Sequence, residues 1–165
     1  MYFIRKIRKN RWSKYGELDW LPAGDISADP LGDLATNQHA FSLWKVEDDK
    51  NNLDRVIVAL AAKTQSLANF DYLLFAADVL DDLDVEITQA PGESFDDEAN
   101  DLWHFEVYPI SASMLVEVAR HLYHAGQPLR KQKKELAAIV QRVAEDLARC
   151  EVEQLKLHWR REPTP

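Results

Sequence analysis

Hydrophobic positions recur along this chain at two spacings, every second residue in some stretches and every third or fourth in others, and the change of spacing marks its elements. Phe41, Leu43 and Val46, with Trp44 beside them, predict a strand over 40–46 that ends in the turn-prone run Glu47-Asp48-Asp49-Lys50-Asn51-Asn52. Leu53, Val56, Ile57, Leu60, Ala61, Thr64 and Leu67 then share one side of a helix with Asn52 as its expected N-cap. Asn69 is placed to cap a second helix, 70–83, whose only charged residues are four aspartates, so most of its circumference is expected to be buried.

Val85 and Ile87 alternate with Glu86 and Thr88 in a third strand stopped by Pro91-Gly92. Ser94 and Asp97 have capping-box spacing for one short helical turn. Trp103, Phe105 and Val107 point one way from a fourth strand, with His104, Glu106 and Tyr108 opposite and Pro109 closing it. Ser111 is the expected cap of a helix with the core stripe Leu115, Val118, Ala119 and Leu122, stopped by Gly126 and Pro128. From 131 to 158, Leu136, Val140, Val143, Leu147, Cys150 and Leu157 define a long amphipathic helix, widened by Ile139, Val152 and Leu155. The beginning is less periodic: Tyr2–Ile7 make a weak first strand. Residues 10–36, broken by Pro22 and Pro30, read as an ordered loop with short helical turns.

This order predicts an α+β domain over 1–165, a small mixed β-sheet of about four strands covered by helices, with α/β layering as the alternative. The last helix, at roughly 42 Å, equals or exceeds the width of a domain whose radius of gyration is about 15 Å. It must kink, protrude or pack on a second copy, so a homodimer through the C-terminal helix is one expectation.

With 46% hydrophobic and 29% charged residues the chain has the composition of a folded domain. Its longest apolar run, Val56–Ala62, is far below the roughly 20 residues that span a bilayer. Charge follows Met1–Ile4 without an apolar signal region, and a cytoplasmic protein is expected. Cys150 is the only cysteine, which excludes an intrachain disulfide and a thiolate cluster.

Charge comes in blocks. Residues 1–15 hold Arg5, Lys6, Arg8, Lys9, Arg11 and Lys14 with no acid, whereas 47–106 set sixteen acids against Lys50, Arg55 and Lys63. The basic segment, with Trp12 and Tyr15, has the composition of a nucleic-acid-contacting arm. An acidic body repels a polyanion, so pairing with the protein's own acids or with a partner protein is the favoured reading. The run Arg130-Lys131-Gln132-Lys133-Lys134 reads as the solvated start of a helix.

No phosphate-cradling glycine loop, dinucleotide fingerprint or nucleophile elbow occurs, and no cofactor is implied. His104, Glu106, His121 and His124 have metal-ligand chemistry and, with His39, make up the alternative of a metal-dependent or acid-base enzyme. His121 and His124, however, fall on the polar side of their helix with Glu117 and Arg120. The functional expectation is a small, bacterial-type, non-enzymatic interaction protein, comparable to an immunity or antitoxin protein. It binds a basic protein partner through an acidic surface of Asp78, Asp81, Asp82, Glu93, Asp96, Asp97, Glu98 and Asp101.

Overall fold

In a computed structural model of the chain, the described residues are 1–12, 20–34, 36–62 and 67–147. Among them six strands form one sheet: β1 (Tyr2–Lys6), β2 (Phe41–Val46), β3 (Phe70–Ala76), β4 (Ile87–Gln89), β5 (His104–Val107) and β6 (Gln127–Lys131). Every pairing is antiparallel, in the order β4-β5-β2-β1-β3-β6. Four α-helices cover it: α1 (Leu53–Ala61), α2 (Asp97–Trp103), α3 (Ala112–Ala125) and α4 (Lys133–Asp146). The α+β expectation holds, while the mixed four-stranded sheet becomes a six-stranded antiparallel one.

Alternation sorts the strand residues into two cores. Ile4, Trp44, Val46, Phe70, Tyr72 and Leu74 meet the buried sides of α1, α2 and α4. Phe3, Phe41, Leu43, Leu73, Phe75 and Val107 meet α3 and the segment bearing Ile26 and Leu34 on the other face. The sheet is thus the middle of three layers, and its central strands are apolar on both sides.

That two-sided burial explains the largest correction. Residues 70–76, expected as the start of a buried helix, are β3, between β1 and β6. A run apolar in every direction carries neither helix nor strand periodicity, and only its neighbours decide. A second strand, β6, replaces the expected turn and helix start. Of its residues Leu129 packs toward the α1 core, so its signal is faint.

The long C-terminal helix is shorter than expected. α4 spans 14 residues, about 21 Å, and Leu147 has extended backbone with ψ 151°. Residues from 148 onward, including Cys150, lie outside the described residues, as do 63–66 at the end expected for the first helix. Leu136, Ile139 and Val143 of α4 pack in the chain's own core beside α1, which removes the length argument for a dimer.

Trp103 ends α2 and joins the α1 side, apart from Phe105, which packs with Val107 on the α3 side. Ser111 caps α3 as expected, its hydroxyl accepting from Met114 N at 3.2 Å. Asn52 holds the N-cap position of α1 as expected, but its side chain bridges Glu47 N and Lys45 O across the β2–α1 turn, and Asn69 Oδ1 accepts from Lys133 N in the first turn of α4.

Candidate interaction surface

The basic N-terminal residues are built into the body. β1 is a central strand, and Trp12 after it is 2% exposed. Asp33, at the end of the 3-10 helix Asp29–Asp33, gathers this segment. Its carboxylate accepts from Arg8 N at 2.8 Å, Trp12 Nε1 at 3.0 Å and Arg11 Nη1 at 3.1 Å. Asp71 of β3 accepts from Lys9 N at 3.0 Å and, through two hydrogen bonds of 2.6 and 2.8 Å, from Arg130 of β6. The acids that neutralise this end are Asp33 and Asp71, outside the acidic surface expected from the sequence.

Arg5 performs a different task. β1 and β2 stay in register from Tyr2↔Val46 to Ile4↔Trp44. Beyond that point the Arg5 guanidinium lies between them, donating to Ser42 O at 2.8 Å and to Asp33 O at 3.2 and 3.3 Å. Burial pulls its pKa down to about 10 against the opposing charge of Asp33, which still leaves it a cation at neutral pH. A pocket of about 350 Å³ at this gap is lined by Arg5, Lys6, Asp33, Ser42, Trp44 and His104 among others.

The acids expected to form one surface have separate fates. Asp96 is 0% exposed and lies under the surface. It caps α2, accepting from Ala99 N at 2.9 Å, and takes Arg55 Nε and Nη2 at 2.6 and 2.8 Å. Glu98 receives the remaining arm, Nη1, at 2.6 Å. Burial lowers the Arg55 pKa, but the hydrogen bonds and charges of Asp96 and Glu98 outweigh it, so the guanidinium is held above its ordinary value. A capping aspartate followed by two more acids is the local sequence signal for α2. The arginine that clasps it is 41 residues away, so no spacing rule finds it.

Asp78, Asp81 and Asp82 belong to the 3-10 turn Ala77–Leu80 and the residues after it, on the α3 side of the sheet. A groove of about 410 Å³ separates Asp78 and Asp82 from Arg120, His121 and His124. From there the chain packs Leu80, Leu83 and Val85 into the α3-side core and delivers Asp84 and Glu86 to the start of β4. Glu93 follows the far end of β4, and Asp101 O accepts from the Gln89 side chain. Asp97, Glu98 and Asp101 ride on α2, across the sheet from Asp78. The acids therefore do not share one face: Asp78 and Asp82 stand beside the end of α3 that leads into β6, whereas Asp84, Glu86, Glu93 and Asp101 flank β4 at the opposite edge of the sheet.

Asp84, Glu86, Glu93 and Asp101 around that edge are exposed, as are Asp97 on α2 and, away from the edge, Asp78, Asp81 and Asp82. Among the described residues none has an ion pair or a side-chain hydrogen bond. Leu102 of α2 is 49% exposed beside Asp101, and Tyr108, opposite Glu86, is 50% exposed. Trp44 and Trp103 are buried and offer no contact surface. Trp20 is exposed, in the segment where Gly24 and Asp25 meet His124 and Arg120 of α3.

The histidines expected to serve a metal do not converge. His104 is buried on the α1 side, edge-on to Trp44 with its Nδ1 3.0 Å from Ala90 O. Glu106 alternates onto that face, whereas His121 and His124 lie on α3 across the sheet, and His39 is exposed in the turn before β2. Among the described residues no three His, Cys, Asp or Glu side chains are grouped to hold a metal ion, and no helix is long and apolar enough to cross a membrane. Comparison with protein-family models, curated proteins and solved structures finds no match to this chain.

Proposed function

We propose that the protein is a non-enzymatic, cytoplasmic interaction module that binds a basic protein partner along the acidic margin of β4. The reading is carried by the exposed carboxylates of Asp84, Glu86, Glu93 and Asp101 flanking β4, which have no ion pair among the described residues, while Asp33, Asp71 and Asp96 are paired internally. Unpaired like charges repel one another in the free protein, and a cationic partner relieves that repulsion as it docks. Leu102 and Tyr108 supply apolar contact area within the same charged frame.

Titrating the full chain with the basic protein that co-purifies from its native source, at low and then at raised ionic strength, tests this. Screening should weaken binding at least about tenfold, since exposed charge pairs act within a Debye length of about 8–10 Å. The triple change Asp84→Asn, Glu86→Gln and Asp101→Asn should have a similar effect. Affinity indifferent to both would overturn the reading.

A further inference from the structure

The two edges of this sheet differ in kind. At β6, Ile7 N donates to Asp71 O at 3.1 Å, which turns the main chain of Asp71 toward β1 and those of Phe70 and Tyr72 toward β6. Lys131, Leu129 and Gln127 stand opposite Phe70, Tyr72 and Leu74, so the main-chain groups of Pro128 and Arg130 face outward. Pro128 has no N–H to offer, and Arg130 and Lys131 make this edge basic, which are ordinary means of blunting a sheet edge.

Within β4 no proline interrupts the outward-facing groups, and Pro91 follows only at the next outward position. Tyr108 N donates to Glu86 O at 3.1 Å and Ala90 N to His104 O at 3.2 Å, so Glu86, Thr88 and Ala90 turn toward β5. Ile87 and Gln89 turn their N–H and C=O groups outward, with no proline between them and no backbone partner among the described residues. Thr88 and Gln89 are exposed, and the strand is framed by Asp84 and Glu86 before it and Glu93 and Asp101 after it.

We propose that this edge accepts an extended basic segment of the partner protein as a seventh strand, its main chain bonding Ile87 and Gln89 and its lysines or arginines meeting the flanking carboxylates. The inference rests on the proposed binding of a basic protein and specifies its mode, strand addition. Charge decides the occupant. A second copy adding through its own β4 would set these carboxylates against each other, and one adding through β6 would meet the missing donor of Pro128.

The probe is a seven-residue peptide of alternating valine and lysine, compared with a version N-methylated at alternate residues, which keeps the charge and loses the donors on one edge. Binding to the full chain and amide exchange at Ile87 and Gln89 are followed by NMR. Strand addition requires that the plain peptide slow exchange at both amides and bind at least about tenfold more tightly than the methylated one, the loss of two hydrogen bonds. Gln89→Pro, which removes the outward-facing donor together with the side-chain hydrogen bond to Asp101 O, should reproduce that loss, whereas Gln89→Ala, which removes only the side-chain bond, should not. Equal, salt-sensitive binding of both peptides with unchanged exchange overturns strand addition and leaves acidic docking standing. If neither peptide binds at low salt, both proposals are overturned. Protection of Ile87 and Gln89 in the free chain, whether in a dimer or in a monomer whose own residues cover the edge, also overturns the proposal.

Discussion

The guanidinium of Arg55 grips the carboxylate of Asp96 with two hydrogen bonds, 2.6 and 2.8 Å, and lies 5.5 Å from the centre of the Trp103 ring. One contact thereby ties α1 to both ends of α2, the cap at Asp96 and the final residue Trp103.

Because Asp96 is fully buried, Arg55→Met should leave a carboxylate without compensation and cost about 3–5 kcal/mol. Glu98, 54% exposed, meets the same arginine in solvent, and Glu98→Gln should cost less than about 1 kcal/mol. Urea unfolding of the two variants measures the contrast; equal losses would contradict the assignment of Asp96 as the buried partner.

Asp33→Ala withdraws the acceptor of the buried Trp12 indole N–H together with those of Arg8 N and Arg11. The expected cost is about 2–3 kcal/mol, set by the donor left buried and unsatisfied. Removal of residues 1–7 deletes a central strand, and circular dichroism should show loss of the native fold. A truncated chain that kept its sheet would contradict the placement of β1.

Acid should destabilise the protein partly through Asp71. The Arg130 hydrogen bonds hold this carboxyl below its ordinary value, helped by Lys9 N–H and opposed by partial burial. A depressed carboxylate contributes fully above the unfolded value of about 3.9 and loses its contribution as pH falls through the folded value. Asp71→Asn should therefore flatten the stability curve below about pH 4, where Asp normally titrates, as read from urea midpoints across that range.

Gly126 ends α3 with φ −75°, a backbone open to any residue, so its role is spatial. A Cβ there would fall 2.5 Å from Leu122 O and 2.9 Å from the Leu73 side chain. Gly126→Ala should cost about 1–3 kcal/mol, the range for overpacking, measurable as a lowered unfolding midpoint.

Neutralising Asp84, Glu86 and Asp101 together should shift stability by no more than about 0.5 kcal/mol per site, as for surface positions without partners. Urea unfolding of the triple variant separates this from the binding loss expected above.

Elements whose apolar residues are interrupted by polar ones were legible in the sequence. α3 shows its stripe and its Ser111 cap, and β2 and β5 sit within a residue or two of their patterns. β3 was misread because it is covered on both faces, and β6 was missed because it is short, polar and marginal. For the candidate surface, composition located the acidic stretch but not its division by the sheet. Asp96 looks in sequence like Asp97, and only the return of Arg55 from α1 makes one a buried anchor and leaves the other in solvent. The outward turn of Ile87 and Gln89 depends on which neighbour β4 pairs with, a property of topology alone.

The gap that Arg5 fills divides the sheet into two mechanical units. Main-chain pairing between β1 and β2 covers three residue pairs, against five between β1 and β3, and past Ile4 one side chain stands in for the missing ladder. A load applied across the sheet concentrates on this seam. The pair β2 and β5 can part from β1, β3 and β6 before the longer ladders on either side come undone, which would appear as faster exchange of the Ile4 amide than of Leu73.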